Sequence, residues 1–338
     1  MVPLFIIGLS LAASSGSAER LLPPPLCEPS ALLAVGGALL AGDNEREALY
    51  ALDAEGQVLR ALPLPDAPHD VEALAAWGDH LVVVGSHSRG SARKGCEIKA
   101  RRLAILVARL GKAGLEGGRL ISVDGVLDGG LDKRVRQGLA QLRADSLASP
   151  GACLRGWFDG APAGAAEVCQ AMVAAEGSAA FDAAACARTL NIEGAVVLAG
   201  RLWLGLRAPV VGGHAVLLRV AGTRPDALDA LRFDAVARLD LGGMGVRELT
   251  VVGDGLAGIA GPEADGPGFR LFRLPASAVV PGASAAPTAW AAAPDDTEGL
   301  APGPGGLRYV VDGAQDPDDS SRCRAPGRLG VLPLPEVP

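Results

Sequence analysis

Short apolar runs separated by glycine turns recur along this chain. The first unit reads Ala31–Val35, a Gly36-Gly37 turn, and Leu39–Gly42, ending in Asp43-Asn44-Glu45. Ala48–Leu52 and Gln57–Leu62 follow, so four short strands with tight turns predict one antiparallel meander. The pattern restarts at Val71-Glu72, with Ala73–Trp77, a Gly78-Asp79 turn and Leu81–Val84, and outer strands are expected at Arg102–Leu110 and Arg119–Val123. Further restarts fall at Ile192-Glu193, Arg247-Glu248 and Thr297-Glu298. The opening glutamates Glu28, Glu72, Glu193, Glu248 and Glu298 lie 44, 121, 55 and 50 positions apart. A period near 40–55 residues with four strands per unit predicts an all-β fold, a β-propeller.

The gap of 121 is too long for one blade. Its middle, about 131–190, is alanine-rich, and Leu131, Val135, Leu139 and Leu142 fall at helical spacing. Shorter helices are expected at Glu167–Ala175 and Phe181–Arg188. A helical insertion in the second blade accounts for the gap; a degenerate extra blade is the alternative. The expectation is therefore a propeller of five or six four-stranded blades with a helical insertion, forming a single domain over 19–338. The Pro-rich stretch Leu21–Pro25 suits a late-added edge strand.

Composition narrows the setting. The chain has 338 residues, 49% of them apolar, and a net charge of −7. Its basic residues are scattered apart from a short cluster at Lys99, Arg101 and Arg102. A nucleic-acid partner needs a basic face and is not expected. Val2–Ala13 is an apolar run of leader length, followed by Gly16-Ser17-Ala18, so residues 1–18 are read as a signal peptide. That run is too short to span a bilayer, and no other segment reads as transmembrane. Export, to the periplasm or beyond, makes six cysteines (27, 96, 153, 169, 186 and 323) a disulfide set with fifteen possible pairings. Cys27 and Cys323 flank the folded chain, and a bridge between them is attractive if the ends meet.

Strand geometry converts the repeat into a site. A hairpin of two five-residue strands returns the position 14 or 15 residues after each glutamate to its side. Those positions are Asp43, His87, Arg207, Glu263 and Asp312. First strands line a propeller's channel, so one rim should gather the five glutamates with these partners, and Glu193 should face Arg207. His69, Arg89 and Arg247 lie close to the same rim in sequence. Crowded carboxylates raise one another's pKa and must be neutralised. Either Arg89, Arg207 and Arg247 do so, or a hard cation such as Ca²⁺ does, held by Glu72, Glu193 and Glu298. Each glutamate taken singly also fits a purely structural role, fastening adjacent blades. His87, in Ser86-His87-Ser88-Arg89, is the candidate for acid–base work, with Glu193 beside it. The acidic run Asp316-Pro317-Asp318-Asp319 reads as a solvated loop with oxygen atoms suited to Ca²⁺.

Several stretches together resemble a bacterial family of unknown function, DUF3616. They are Ser86-His87-Ser88-Arg89 with Arg101-Arg102-Leu103, Asn191-Ile192-Glu193-Gly194 with Gly205-Leu206-Arg207-Ala208-Pro209, Leu241–Arg247, and Glu298-Gly299-Leu300 with Val311-Asp312-Gly313. The resemblance runs from about Glu28 to Gly313 and implies a propeller-like fold without an established activity. A looser similarity connects it to the esterase-like propellers of phytases. The chain departs from the family pattern at Ala195 and in its cysteine-bearing insertion.

No Gly-x-Ser-x-Gly elbow, His-Glu-x-x-His motif or phosphate loop is present. The expected function is a binding module whose channel mouth holds a metal ion or a small anionic molecule, with Arg89, Glu193, Arg207, Arg247, Glu298 and Asp312 as ligand-binding residues. A metal-assisted phosphoester or ester hydrolase is the alternative, and a protein-interaction scaffold using the insertion is a third reading.

Overall fold

The computed structural model describes residues 19–44, 46–64, 68–91, 95–111, 114–127, 130–178, 183–315 and 322–335. The expected leader at 1–18 and the acidic run at 316–319 lie outside these residues, as does Glu45.

Five sheets form the blades of a propeller. Blade 1 runs Pro29–Val35, Ala38–Asp43, Ala48–Leu52 and Val58–Pro63. Blade 2 runs Val71–Trp77, His80–Gly85, Ile105–Leu110 and Leu115–Ser122, with Gly125–Val126 added at its edge. Blade 3 comprises Asn191–Leu198, Arg201–Ala208, Ala215–Val220 and Phe233–Leu239; blade 4 comprises Gly245–Val252, Gly255–Gly261, Arg270–Pro275 and Ala289–Ala292. Blade 5 is built from both ends of the chain: Thr297–Gly303, Gly306–Val311 and Arg328–Leu332, with Arg20–Leu21 outermost. The inner strands of successive blades pack side by side, and that of blade 5 packs on that of blade 1, closing the ring. The open choice between five and six blades resolves to five among the described residues.

Local chemistry explains the hairpins. Gly36 and Gly37 both take positive φ, 60° and 86°, the conformation a two-residue hairpin turn requires. Inner strands are buried on both faces because a neighbouring blade covers each face, and they are accordingly rich in Ala, Val, Leu and Gly. Ring closure rests on two devices. Arg20 and Leu21 pair with Leu329 and Arg328. The Cys27–Cys323 disulfide then ties the ends across 296 residues. The bridge agrees with the one expected from the sequence, and an edge strand forms as expected but at Arg20–Leu21, sharing only Leu21 with the expected stretch Leu21–Pro25.

The insertion between blades 2 and 3 holds four helices: α1 (Lys133–Ser146), α2 (Pro150–Trp157), α3 (Ala165–Ser178) and α4 (Ala183–Ala187). The Asp132 side chain caps α1 by accepting from the N–H groups of Arg134 and Val135. Ser149 caps α2, with Pro150 in its first turn. Cys153–Cys169 joins α2 to α3, and Cys96–Cys186 fastens α4 to a blade 2 loop. Among the described residues the insertion has no separate core. Leu147, Trp157, Phe158, Val168 and Met172 pack into the apolar cluster formed by blades 2 and 3. The expected outer strand at Arg102 begins only at Ile105, because Ala100–Arg102 forms a 3-10 turn instead.

Candidate functional site: a charged ring at the channel mouth

Every inner strand carries a bulge near its start. In blade 2, Val71 pairs with Gly85 and Ala73 with Val84, leaving Glu72 as the extra residue. The same skip isolates Ser30 in blade 1, Glu193 in blade 3, Arg247 in blade 4 and Glu298 in blade 5. A bulge bends the strand and re-aims its extra side chain. The pseudo-equivalent ring is thus Ser30, Glu72, Glu193, Arg247 and Glu298.

This corrects the sequence assignment at two of five positions. Glu28 precedes the ring and Glu248 follows it, so blade 1 contributes a serine and blade 4 an arginine. The residue after the bulge explains why glycine follows glutamate in two repeats. A Cβ on Gly299 would stand 2.8 Å from the Leu32 nitrogen, and one on Gly194 would stand 2.7 Å from Val246 Cγ1. Blade 4 places Glu248 at that position instead, fully buried. Leu249 N–H donates to its carboxylate at 2.8 Å. Burial pushes its carboxyl well above the ordinary range, opposed by backbone hydrogen bonds from Leu249, Leu32 and Leu300. Those bonds join the inner strands of blades 1, 4 and 5.

Around the ring the charges interlock. Arg207 Nη1 lies 3.0 Å from Glu193 Oε1, the pair that hairpin geometry predicts. The remaining donors of Arg207 reach the Glu263 carbonyl at 2.9 Å and Asp265 at 3.0 Å. Asn191 Nδ2 also donates to Glu193 Oε1, at 2.9 Å. Arg247 bridges Glu193 Oε2 at 2.9 Å and Glu298 Oε1, and its guanidinium stacks 5.0 Å from the Phe269 ring centroid. Glu72 has no hydrogen-bonding or ion-pair partner among the described residues, although it is 7% exposed. One oxygen from each of Glu72, Glu193 and Glu298 falls within 4.8 Å of the others. Burial, with the charges of Asp70, Glu193 and Glu298, pushes the Glu72 carboxyl well above its ordinary value. Burial also raises Glu298, and Arg247 opposes that rise. Asp312, at the ring's edge, is pushed up to about 8 by burial and by Glu298, Glu28 and Asp43.

Two expected site residues are not brought to the ring. Arg89 pairs with Glu176 of α3 at 2.6 Å and donates to the Cys96 carbonyl at 2.9 Å. Glu176 is shared with Arg143 of α1, whose other nitrogen donates to the His87 carbonyl. His87 itself is sealed beneath the insertion, 0% exposed, edge-on to Trp157 at 6.1 Å. Its Nδ1–H donates to the Gly85 carbonyl at 2.7 Å, which leaves Nε2 as a buried acceptor without a partner among the described residues. Burial lowers its pKa to about 4, so the imidazole is neutral at physiological pH. The acid–base role expected of His87 has no solvent access here. Glu176 and Arg143 escaped sequence reasoning because an ion pair spanning two helices has no fixed spacing.

Residues 183–291 match the family described as Protein of unknown function (DUF3616). The match takes in α4, blade 3 and blade 4 up to Ala291, including Asn191-Ile192-Glu193-Gly194, Arg207 and Arg247. No curated protein matches the chain. Among solved structures, the chain is similar to Myxococcus xanthus glutaminyl cyclase at 12% identity, covering 94% of each chain with a TM-score of 0.44. It is similar to the PQQ-bound aldose sugar dehydrogenase of Streptomyces coelicolor at 14% identity, covering 92% of this chain and 95% of that one, with a TM-score of 0.39. A streptogramin B lyase is similar at 11% identity, covering 93% and 97%, with a TM-score of 0.37.

Proposed function

We propose that the protein is a cation-binding propeller, with Ca²⁺ held at the channel mouth by Glu72, Glu193 and Glu298. The observation that carries this is the buried trio of carboxylate oxygens within 4.8 Å of one another, one of which, on Glu72, feels the charge of Arg247 but makes no direct ion pair or hydrogen bond among the described residues. Oxygens on one Ca²⁺ ion lie about 2.3–2.6 Å from it, so up to about 5 Å from each other. The trio suits an ion of that size. Arg247 and Arg207 neutralise two of the three charges and leave one for the ion. The raised Glu72 carboxyl favours a bound proton in the metal-free protein, and an ion held there would displace it.

The same ion pairs argue against an anionic ligand in the ring, because Arg207 and Arg247 are already engaged by carboxylates. The three disulfides point to a non-cytosolic compartment. Combined with the apolar run at 2–13, they support an exported protein. No described helix is long and apolar enough to cross a membrane.

The test is calorimetric titration of chelator-treated protein with Ca²⁺ and Mg²⁺. The reading expects saturable Ca²⁺ binding that tightens as pH rises and releases about one proton. Glu72→Gln, an isosteric copy of the protonated residue, should fold normally and lose that binding. Absence of Ca²⁺ binding, or unchanged binding in Glu72→Gln, refutes the site. A parallel screen on generic phosphoesters and carboxylesters separates binding from catalysis. Turnover abolished both by chelation and by Glu193→Gln would overturn a purely binding role in favour of metal-assisted hydrolysis.

A further inference from the structure

A cluster of basic residues that the ring leaves unexplained is Lys99, Arg101 and Arg102. In the fold it forms one wall of a cleft of about 600 Å³, roofed on the other side by α1. That volume lies within the ordinary range for small-molecule sites. Asn44 and Asp70 line it too, so it opens at the end of blades 1 and 2 where the charged ring lies.

We infer that this cleft binds a small molecule carrying two anionic groups, phosphate or carboxylate. Lys133, Arg136 and Gln137 project from one face of α1, because residues three and four apart in a helix share a face. Across the cleft stand Lys99, Arg101 and Arg102 on the 3-10 turn, with His69 beside them. The turn side is paired one for one, and His69 shares Glu47 with Arg101. Arg101 pairs with Glu47 at 2.7 Å, Arg102 with Asp70 at 2.9 Å, and Lys99 with Glu97. The helix side is not, for neither Lys133 nor Arg136 has a carboxylate partner among the described residues. A protein of net charge −7 therefore concentrates positive charge in this cleft. Such a cleft attracts anions and focuses their approach. Lys133 and Arg136, the two cations without a carboxylate partner among the described residues, match two anionic groups better than one.

A long polyanion fits less well. Beyond the cleft, the acidic ring would repel a nucleic-acid backbone. The site is also distinct from the proposed cation site, since positive walls exclude a metal ion and none of its lining residues belongs to the ring.

Calorimetric titration of the chelator-treated full chain with inorganic pyrophosphate and, separately, with succinate tests the inference. Saturable binding of at least one probe with Kd below about 1 mM is expected. Binding of one probe alone identifies which chemistry the cleft prefers. The variant Lys133→Ala/Arg136→Ala should weaken binding by about tenfold or more, since charge-assisted hydrogen bonds are the strong ones. Arg224→Ala removes an equal type of charge from an exposed pair on blade 3 and should change affinity less than about twofold. Alanine is a good helix former, so the double variant should keep its α1 signal in circular dichroism. Should it lose that signal, Lys133→Ala alone carries the test, because that side chain is exposed. Failure of both probes to bind, or equal binding by the helix variant and wild type, overturns the inference. Neither result bears on Ca²⁺ binding by the ring.

Discussion

Replacing Asp312 by Asn should remove part of the protein's pH dependence. Asp312 sits at the ring's edge, and its carboxyl is raised from 3.8 to about 8 by burial and by the charges of Glu298, Glu28 and Asp43. The folded state therefore holds a proton that the unfolded chain releases near 3.8. Between these values the folded state binds more protons, so stability is fully present below about pH 4 and drains away as pH rises through about 8. Each unit of offset is worth about 1.4 kcal/mol, and the full offset amounts to about 6 kcal/mol. Solvent at the rim screens some of this, so about 3–5 kcal/mol is the expected loss. Asn removes the charge and keeps an oxygen to accept the Gly313 N–H, which donates to Asp312 Oδ1 at 2.9 Å in the wild type. Urea unfolding of both proteins, in chelator at about pH 5, 6, 7 and 8, reads the difference directly. The stability advantage of Asp312→Asn should grow steadily with pH over that range. A difference that stays constant would show that Asp312 ionises like an exposed carboxylate and would refute the electrostatic account of the rim.

Other outcomes follow from the same geometry. His87, lowered to about 4, should show no imidazole titration by NMR between about pH 5.5 and 8. Because its pKa is depressed, its contribution is present above about 6.5 and lost as pH falls through about 4, so His87→Gln should flatten the acid side of the stability curve. Gly299→Ala should cost about 1–3 kcal/mol, measured by chemical unfolding, because its Cβ would meet backbone atoms of Ala31 and Leu32 that cannot move aside. Cys27→Ser/Cys323→Ser should lower stability by roughly 2–5 kcal/mol, because the bridge closes almost the entire chain. An unchanged unfolding midpoint in either variant would count against the close packing at the axis or the role of the bridge in closure.

Much of the architecture was legible from periodicity alone. Apolar runs of five to seven residues with glycine turns can satisfy their backbone only by pairing with one another. Their recurrence forced a ring of similar sheets, and helical spacing from Leu131 onward marked the insertion. The Cys27–Cys323 bridge and the terminal edge strand followed from the same closure. Glu193 and Arg207 were paired by hairpin arithmetic, which depends only on strand length. What the sequence could not decide was register. A bulge shifts the inward position by one residue, and neither a Ser at 30 nor an Arg at 247 advertises equivalence to a glutamate. Aligning the repeats on the apolar residue before the bulge, Val71, Ile192 and Val246, would have found Arg247 but not Ser30. Only the folded ring showed that Glu248 is buried among three inner strands, that Arg89 is taken by Glu176, and that the insertion seals His87. Those outcomes depend on contacts between residues tens of positions apart. The strength of a charge is set by what surrounds it, so the chain named the carboxylates at the channel mouth, while tertiary packing decided which of them lacks a counter-ion.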